Sequence, residues 1–294
     1  MWMLKILLPI SFLTFLLAWS GLINRLDFIL EPLMDLIGLP PMAAIPLIAG
    51  LLTGPYGAIA AMAPLPLTIE QMTLVAIFLL ISHNLIQEGV IQRQSGLSFM
   101  TATLFRLVAS IVTVMIASWF MGHETATGVD ANGQVIIQHQ FLPLLKAWAI
   151  ETVILSVKIL VIIVTLMIVL EVMKSYRLID HIVHVMAPVL KVHGLGKETG
   201  FLWLTAVTFG LTYGAAVIVE EAKEGHLSKD QLERLHISIG INHSVIEDPL
   251  LFLSLGLGLF WMIVPRLAAA IIAVQVFIIF KRLKSLPRFS KAFR

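Results

Sequence analysis

The sequence predicts an all-α integral membrane protein built from two related, oppositely inserted halves with broken or re-entrant helices. Three observations carry this prediction. The 294 residues are 59% hydrophobic and 13% charged, with a mean hydropathy of +0.95. A soluble domain carries about a quarter charged residues and cannot expose so much apolar surface. Apolar runs of spanning length alternate with runs broken by Pro and Gly, and the second half repeats the first.

The first apolar run covers residues 4–22. A spanning helix needs about 20 residues at about 1.5 Å rise each. Lys5 before the run admits a cleaved signal peptide, but Ser20-Gly21-Leu22 is a poor cleavage context and later runs are equally apolar, so a retained helix is expected. From Asn24 to Ile37, acids alternate with Leu, Ile and Phe, the pattern of a short interfacial helix. Residues 39–66 hold six prolines among Gly50, Gly54 and Gly57. Such backbone breaks must be shielded inside a bilayer, so a broken or re-entrant helix pair is expected.

Residues 70–92 read as a helix containing His83, Asn84, Gln87 and Glu88, and residues 100–121 as an ordinary span. The loop Gly122 to Gln140 has no Lys or Arg, which places it outside. A long apolar helix covers 143–171 and ends at Lys174, Tyr176 and Arg177. Residues 178–193 look amphipathic. Residues 199–219 are apolar with Gly210 and Gly214. Residues 235–248 are semi-apolar. A final apolar run at 250–280 exceeds one membrane thickness, and Gly256, Gly258 and Pro265 suggest tilting or breakage.

The duplication has a fixed offset: residue n falls on n + 160, as His83 falls on His243. Leu67-Thr68-Ile69-Glu70-Gln71-Met72 matches Leu227-Ser228-Lys229-Asp230-Gln231-Leu232 in character. Ile81-Ser82-His83-Asn84-Leu85-Ile86-Gln87-Glu88-Gly89 falls on Ile241-Asn242-His243-Ser244-Val245-Ile246-Glu247-Asp248-Pro249. The same offset sets Gly50 on Gly210 and Gly54 on Gly214. The units are a first repeat at 1–121, an extracytoplasmic loop at 122–144 and a second repeat at 145–294. The basic residues after Lys281 and the Lys174–Arg177 junction want the cytoplasmic side. The helix 143–171 then runs inward and the first helix outward, so the repeats are inverted. Inverted repeats with discontinuous helices give a transporter-like bundle.

Ionisable groups at membrane depth are costly and tend to pair or line a solvated path. His83 with Gln87, Asn84 with Glu88, His243 with Glu247 and Ser244 with Asp248 are each four apart and would share a helical face. Asn242 adds an amide, and Gly89 or Pro249 can end the helix and free carbonyls. Two such half-sites meeting at a pseudo-twofold axis would form one polar pocket that takes a small polar solute or ion. His83, His243, Glu247 and Asp248 are candidate ligands for a divalent metal. The same groups can hold a polar organic solute or a coupling proton, and the residues do not rank these.

Other polar positions carry weaker signals. Glu151 and Lys158 lie seven apart and roughly share a face of one span. Glu220 and Glu221 stand at a helix end, best read as solvated surface. Thr53, Thr212 and Tyr213 lie at the breaks. His123, His139, His181, His184, His193, His226 and His236 read as loop or interface residues. His193-Gly194-Leu195-Gly196-Lys197-Glu198-Thr199 lacks the order of a phosphate loop and a preceding strand. Zero cysteines exclude disulfides and thiolate chemistry. A net charge of +2, dispersed along the chain, gives no nucleic-acid surface.

With its broken helix at Gly210 and Gly214, the following acids and the run Ile241 to Pro249, the chain resembles the nucleoside-recognition, or gate-domain, family of membrane proteins. That family includes spore-maturation-like membrane proteins. It is similar to the membrane core of ferrous-iron transporters and, more distantly, to concentrative nucleoside transporters. The resemblance covers 39–121 and 199–280. It implies inverted repeats with paired re-entrant hairpins, and a solute held by polar and acidic residues at helix breaks, where Asn242, Glu247 and Asp248 look like counterparts. The chain departs from the relatives in having no GTPase domain, no cysteine and a histidine in each repeat.

The expectation is a secondary transporter or permease with its site at the repeat interface. The rivals are a non-transporting scaffold or assembly factor and an intramembrane enzyme, with no enzyme the leading expectation. The partners are the lipid bilayer and a small polar solute or ion, with a homodimer left open. The location expected is the cytoplasmic (inner) membrane, multi-pass, with a cytoplasmic C-terminus.

Overall fold

The computed structural model describes residues 2–25, 27–121, 140–176, 190, 195–210, 217–221, 224–225 and 227–284. Among these residues every regular element is helical. In order they are α1 (Trp2–Trp19), α2 (Asp27–Asp35), α3 (Ala44–Thr53), α4 (Pro55–Met62), α5 (Ile69–Ser82), α6 (Leu85–Gln94), α7 (Phe99–Phe120), α8 (Phe141–Ser175), α9 (Lys197–Phe209), α10 (Lys229–Asn242), α11 (Glu247–Phe252) and α12 (Leu259–Lys284). Among the described residues, four stretches are long and apolar enough to cross a membrane: Ile69–Gln94, Phe99–Phe120, Phe141–Met173 and Leu259–Leu283. The protein is a multi-pass, all-α membrane protein. The expected extracytoplasmic loop falls largely on residues 122–139, and these, most of 178–193 and the residues from 285 lie outside the described residues.

Local chemistry sets the helix boundaries. Thr68 and Ser228 each open a helix with a capping box. Gln71 N donates to Thr68 Oγ1 and Thr68 N to Gln71 Oε1, and Ser228 and Gln231 repeat the arrangement. Each box satisfies two orphan amides at the helix start. The Pro- and Gly-rich stretch folds as the hairpin α3–α4, which reverses at Gly54 with φ +82°. Pro55 then begins α4, where a missing N–H is harmless. In the last apolar run the break falls at the glycines. The 3-10 turn Leu253–Leu255 ends at Gly256 (φ +85°), and α12 begins at Leu259. Pro265 lies inside α12 without ending it. Residues of α2 such as Phe28 and Leu33 are exposed, as an interfacial helix requires.

The chain divides into two compact units. Unit one holds Met1–Leu85, Ser110–Leu170 and Glu247–Pro265. Its core is α3 and α4, packed with α1, α5 and α11. The α3–α5 contact is close because Gly50 has no side chain: a Cβ there would lie 2.6 Å from Leu79 Cδ1. Along α1 and α8, Phe12, Phe15 and Trp148 form an aromatic cluster, and Trp148 Nε1 donates to Ser11 Oγ at 3.0 Å.

Unit two holds Ile86–Ala109, Glu171–Ile246 and Arg266–Arg294. Its core joins Leu202, Trp203, Val207, Leu235 and Ile239. The indole of Trp203 is fully buried and donates to Ser238 Oγ at 2.8 Å, which meets the polar need of an interior tryptophan. At the edge, Lys281 bridges Asp230 at 2.8 Å and Glu233 at 2.5 Å. Each unit therefore combines helices of one repeat with the segment after the histidine of the other.

Candidate functional site

The helices α5 and α10 both end one residue before a histidine. His83 (φ −66°, ψ 163°) and His243 (φ −74°, ψ 161°) are extended and break the helical hydrogen-bond run. The next residues, Asn84 (φ +47°) and Ser244 (φ +49°), are the only non-glycine positive φ values among the described residues. Asparagine visits this region most readily of the non-glycine residues. The strained pair recurs at the repeat offset, 84 + 160 = 244.

A second helix braces each break. In unit one, Asn84 N donates to Gly50 O at 3.2 Å. In unit two, Ser244 N donates to Ala206 O at 3.3 Å and Val245 N to Val207 O at 2.9 Å. Gly54 faces the Asn84 amide, and Gly210 faces Ser244 Oγ, each too closely for a Cβ. Gly54 therefore corresponds to Gly210, an offset of 210 − 54 = 156, and Gly50 corresponds to Ala206. This corrects the gapless pairing of Gly50 with Gly210 and Gly54 with Gly214. The second repeat carries four more residues between glycine and histidine, 243 − 210 = 33 against 83 − 54 = 29. Gly214, Thr212 and Tyr213 lie outside the described residues.

Both imidazoles are oriented by the helix they terminate. His83 Nδ1 donates to Leu79 O at 2.8 Å and His243 Nδ1 to Ile239 O at 3.0 Å. A carbonyl only accepts, so the proton sits on Nδ1 and Nε2 faces the partner. In unit one, Nε2 of His83 lies 3.5 Å from Asp248 Oδ2. In unit two, Nε2 of His243 lies 3.1 Å from Glu88 Oε1. Each histidine thus meets the carboxylate of the other repeat: 83 with 248, 243 with 88. The four residues are between 1% and 6% exposed.

Two arginines complete the picture, and the sequence reading missed both. Arg106 Nη1 lies 2.9 Å from Glu88 Oε2. Arg266 Nε donates to Ile241 O at 2.6 Å, and its Nη2 donates to His243 O. Arg266 therefore places a cation on the open carbonyls at the C-terminal end of α10, where the helix dipole favours it. Both guanidinium groups are buried. The signal that could have found them is the repeat itself, since 106 + 160 = 266.

Gln87 is exposed on α6, outside both pairs. Asn84 is half-buried over Gly54, and Ser244 is buried against Gly210. Glu247 is half-buried beside Asp248 at the start of α11. Asn242, the last residue of α10, is fully buried, and its amide has no hydrogen-bond partner among the described residues. The four-residue spacing does not pair His83 with Gln87 or His243 with Glu247, because the break at the histidine resets the helical phase. The expectation of a loop or interface place for His236 is corrected: it is buried within α10, with Nε2 donating to Ser95 O at 3.0 Å. Gln92 Nε2 donates in turn to His236 O at 2.8 Å. The other weakly signalled histidines lie outside the described residues. Glu220 is exposed and Glu221 half-buried, while Thr53 Oγ1 donates to Ala49 O at 2.7 Å.

Chemically, each pair sets an imidazole nitrogen against a carboxylate oxygen, at hydrogen-bond distance in the pair of His243 and Glu88. The 3.5 Å separation of His83 and Asp248 also suits two ligands of one tetrahedral cation with legs of about 2.1 Å. Glu88 has one oxygen on His243 and the other on Arg106, which makes it a less available ligand.

Comparison with known proteins finds similarity to membrane proteins. The family described as nucleoside recognition (Gate) matches residues 1–123. The uncharacterized membrane protein YvoD of Bacillus subtilis (strain 168) is 26% identical over 270 residues, covering 91% of this chain and 86% of its own length. No solved structure matches. The matched stretch includes His83, Glu88 and Arg106, and the family it matches is the one that the sequence resembles.

Proposed function

We propose that the protein is a secondary transporter or permease that moves a small polar solute or ion where residues of its two repeats meet. The observation that carries this reading is the exchange of histidine–carboxylate pairs, His83 with Asp248 and His243 with Glu88. Well-packed apolar residues often match or exceed a buried ion pair in stability, so a doubled pair beside broken helices calls for a reason beyond folding. A cation or a hydrogen-bonding solute can sit between the imidazole nitrogen and the carboxylate oxygen of either pair. Inverted insertion supplies the alternating access. The basic C-terminal run places that end in the cytoplasm, in the inner membrane of the cell. Catalysis is not part of the proposal.

A scaffold without transport is the second reading, favoured by one feature: Arg106 balances Glu88, as a static strut requires. The two readings separate in one experiment. Purified protein is screened by thermal shift against uridine, adenosine, Mn2+ and Zn2+ across pH, and each stabilising compound is then assayed for uptake into proteoliposomes. Transport predicts uptake that falls at least tenfold in His243→Ala and Glu247→Ala, with both variants still monodisperse in detergent. No stabilisation and no uptake from the whole set would favour the strut.

A further inference from the structure

We propose that unit one carries a separate binding site for a compact organic zwitterion with an apolar body, such as a free amino acid with a large apolar side chain. The site is a cavity of about 430 Å3 against α1, α8 and the turn that joins α4 to α5. Its volume lies in the range of small-molecule sites, about 300–1,000 Å3. Phe15, Met62, Leu65, Trp148 and Leu155 give it apolar walls, and Glu151 and Lys158 supply its charges. The wall is preorganised. Trp148 is pinned by its hydrogen bond to Ser11, and its ring stacks on Phe15 at 5.7 Å.

The two charges make the site specific. They lie seven residues apart on α8, about two turns, so they share a face roughly 10.5 Å apart along the axis. Between Lys146 and Glu171 the helix has no other charged residue. Neither Glu151 nor Lys158 makes an ion pair or hydrogen bond with any described residue. Unpaired opposite charges in a spanning helix require a counter-charge. A cation would satisfy Glu151 and leave Lys158, and an anion would do the reverse. A ligand with one ammonium and one carboxylate satisfies both, and flexible side chains of these lengths can close the remaining distance. The apolar walls select a hydrocarbon or aromatic body, and the volume suits a molecule of amino-acid size better than a two-chain lipid.

This site is separate from the histidine–carboxylate pairs, and its test reads binding without uptake. The full-length protein in phosphatidylcholine nanodiscs is titrated by calorimetry with L-phenylalanine, L-leucine and L-methionine, and with N-acetyl-phenylalanine and phenylalanine methyl ester. At least one of the amino acids should bind, and the two blocked compounds should bind at least tenfold more weakly. Glu151→Gln and Lys158→Met should each weaken the amino acid at least tenfold. Both variants remove an unpaired charge, so folding should persist. The proposal is overturned if none of the three amino acids binds, if the blocked compounds bind equally, or if both variants bind like the parent. Loss of binding when phosphatidylethanolamine is added to the nanodiscs would also overturn it, by giving the cavity to a lipid.

Discussion

Glu88 holds one oxygen against His243 and the other against Arg106, with all three side chains out of water. Removing one member of such a set leaves a buried charge without its counterpart, which costs about 3–5 kcal/mol. Glu88→Gln alone should therefore lower stability by about that amount. The double variant Glu88→Gln with Arg106→Gln should recover a substantial part, because both charges leave together. Urea unfolding in mild detergent of the parent, both single variants and the double variant measures the coupling. Additive losses would show that the pair does not act as a unit. Neither arginine stood out in the sequence, because a lone Arg in an apolar run is normally assigned to a helix end. The histidines and acids were legible because they recur together at one offset. Gln87 was misplaced for a physical reason: the shared-face rule holds only inside an unbroken helix, and the chain leaves the helical conformation at His83.

At the scale of elements, the breaks matter as much as the helices. Gly54 and Gly210 share φ +82° with extended ψ, a conformation almost confined to glycine. Each also has a side chain of the other break pressed on it. Gly54→Ala and Gly210→Ala should each cost about 1–3 kcal/mol from strain at this conformation, and more from the clash with Asn84 or Ser244. Gly256 also has positive φ, but it sits in the left-handed helical region with open space beside it. Gly256→Ala should therefore cost only about 1–2 kcal/mol. Thermal unfolding of the three variants gives the ranking, and equal losses at all three would contradict the role assigned to the breaks. Proline and glycine density made the hairpin predictable. The matching of Gly54 to Gly210 was hidden because the chain between glycine and histidine is four residues longer in the second repeat, and a gapless comparison cannot absorb such an insertion.

At the scale of the molecule, neither repeat contains a complete histidine–carboxylate pair. His83 needs Asp248, and His243 needs Glu88. The division into units follows the same exchange, with 247–265 in the first unit and 86–109 in the second. Composition and the repeat were enough to read a membrane protein of two related halves. They could not reveal the exchange, because a repeat in sequence says which residues are equivalent and not which residues touch. The exchange is the central claim, and the chain suits a direct test because it has no cysteine. A protease site is placed between residues 122 and 140, and cysteines are introduced as His83→Cys with Asp248→Cys, or His243→Cys with Glu88→Cys. After oxidation in native membranes and cleavage, both pairs should hold the two halves together on a non-reducing gel, and the within-repeat pair His83→Cys with Glu88→Cys should not. Halves that separate in both exchanged pairs would contradict the account.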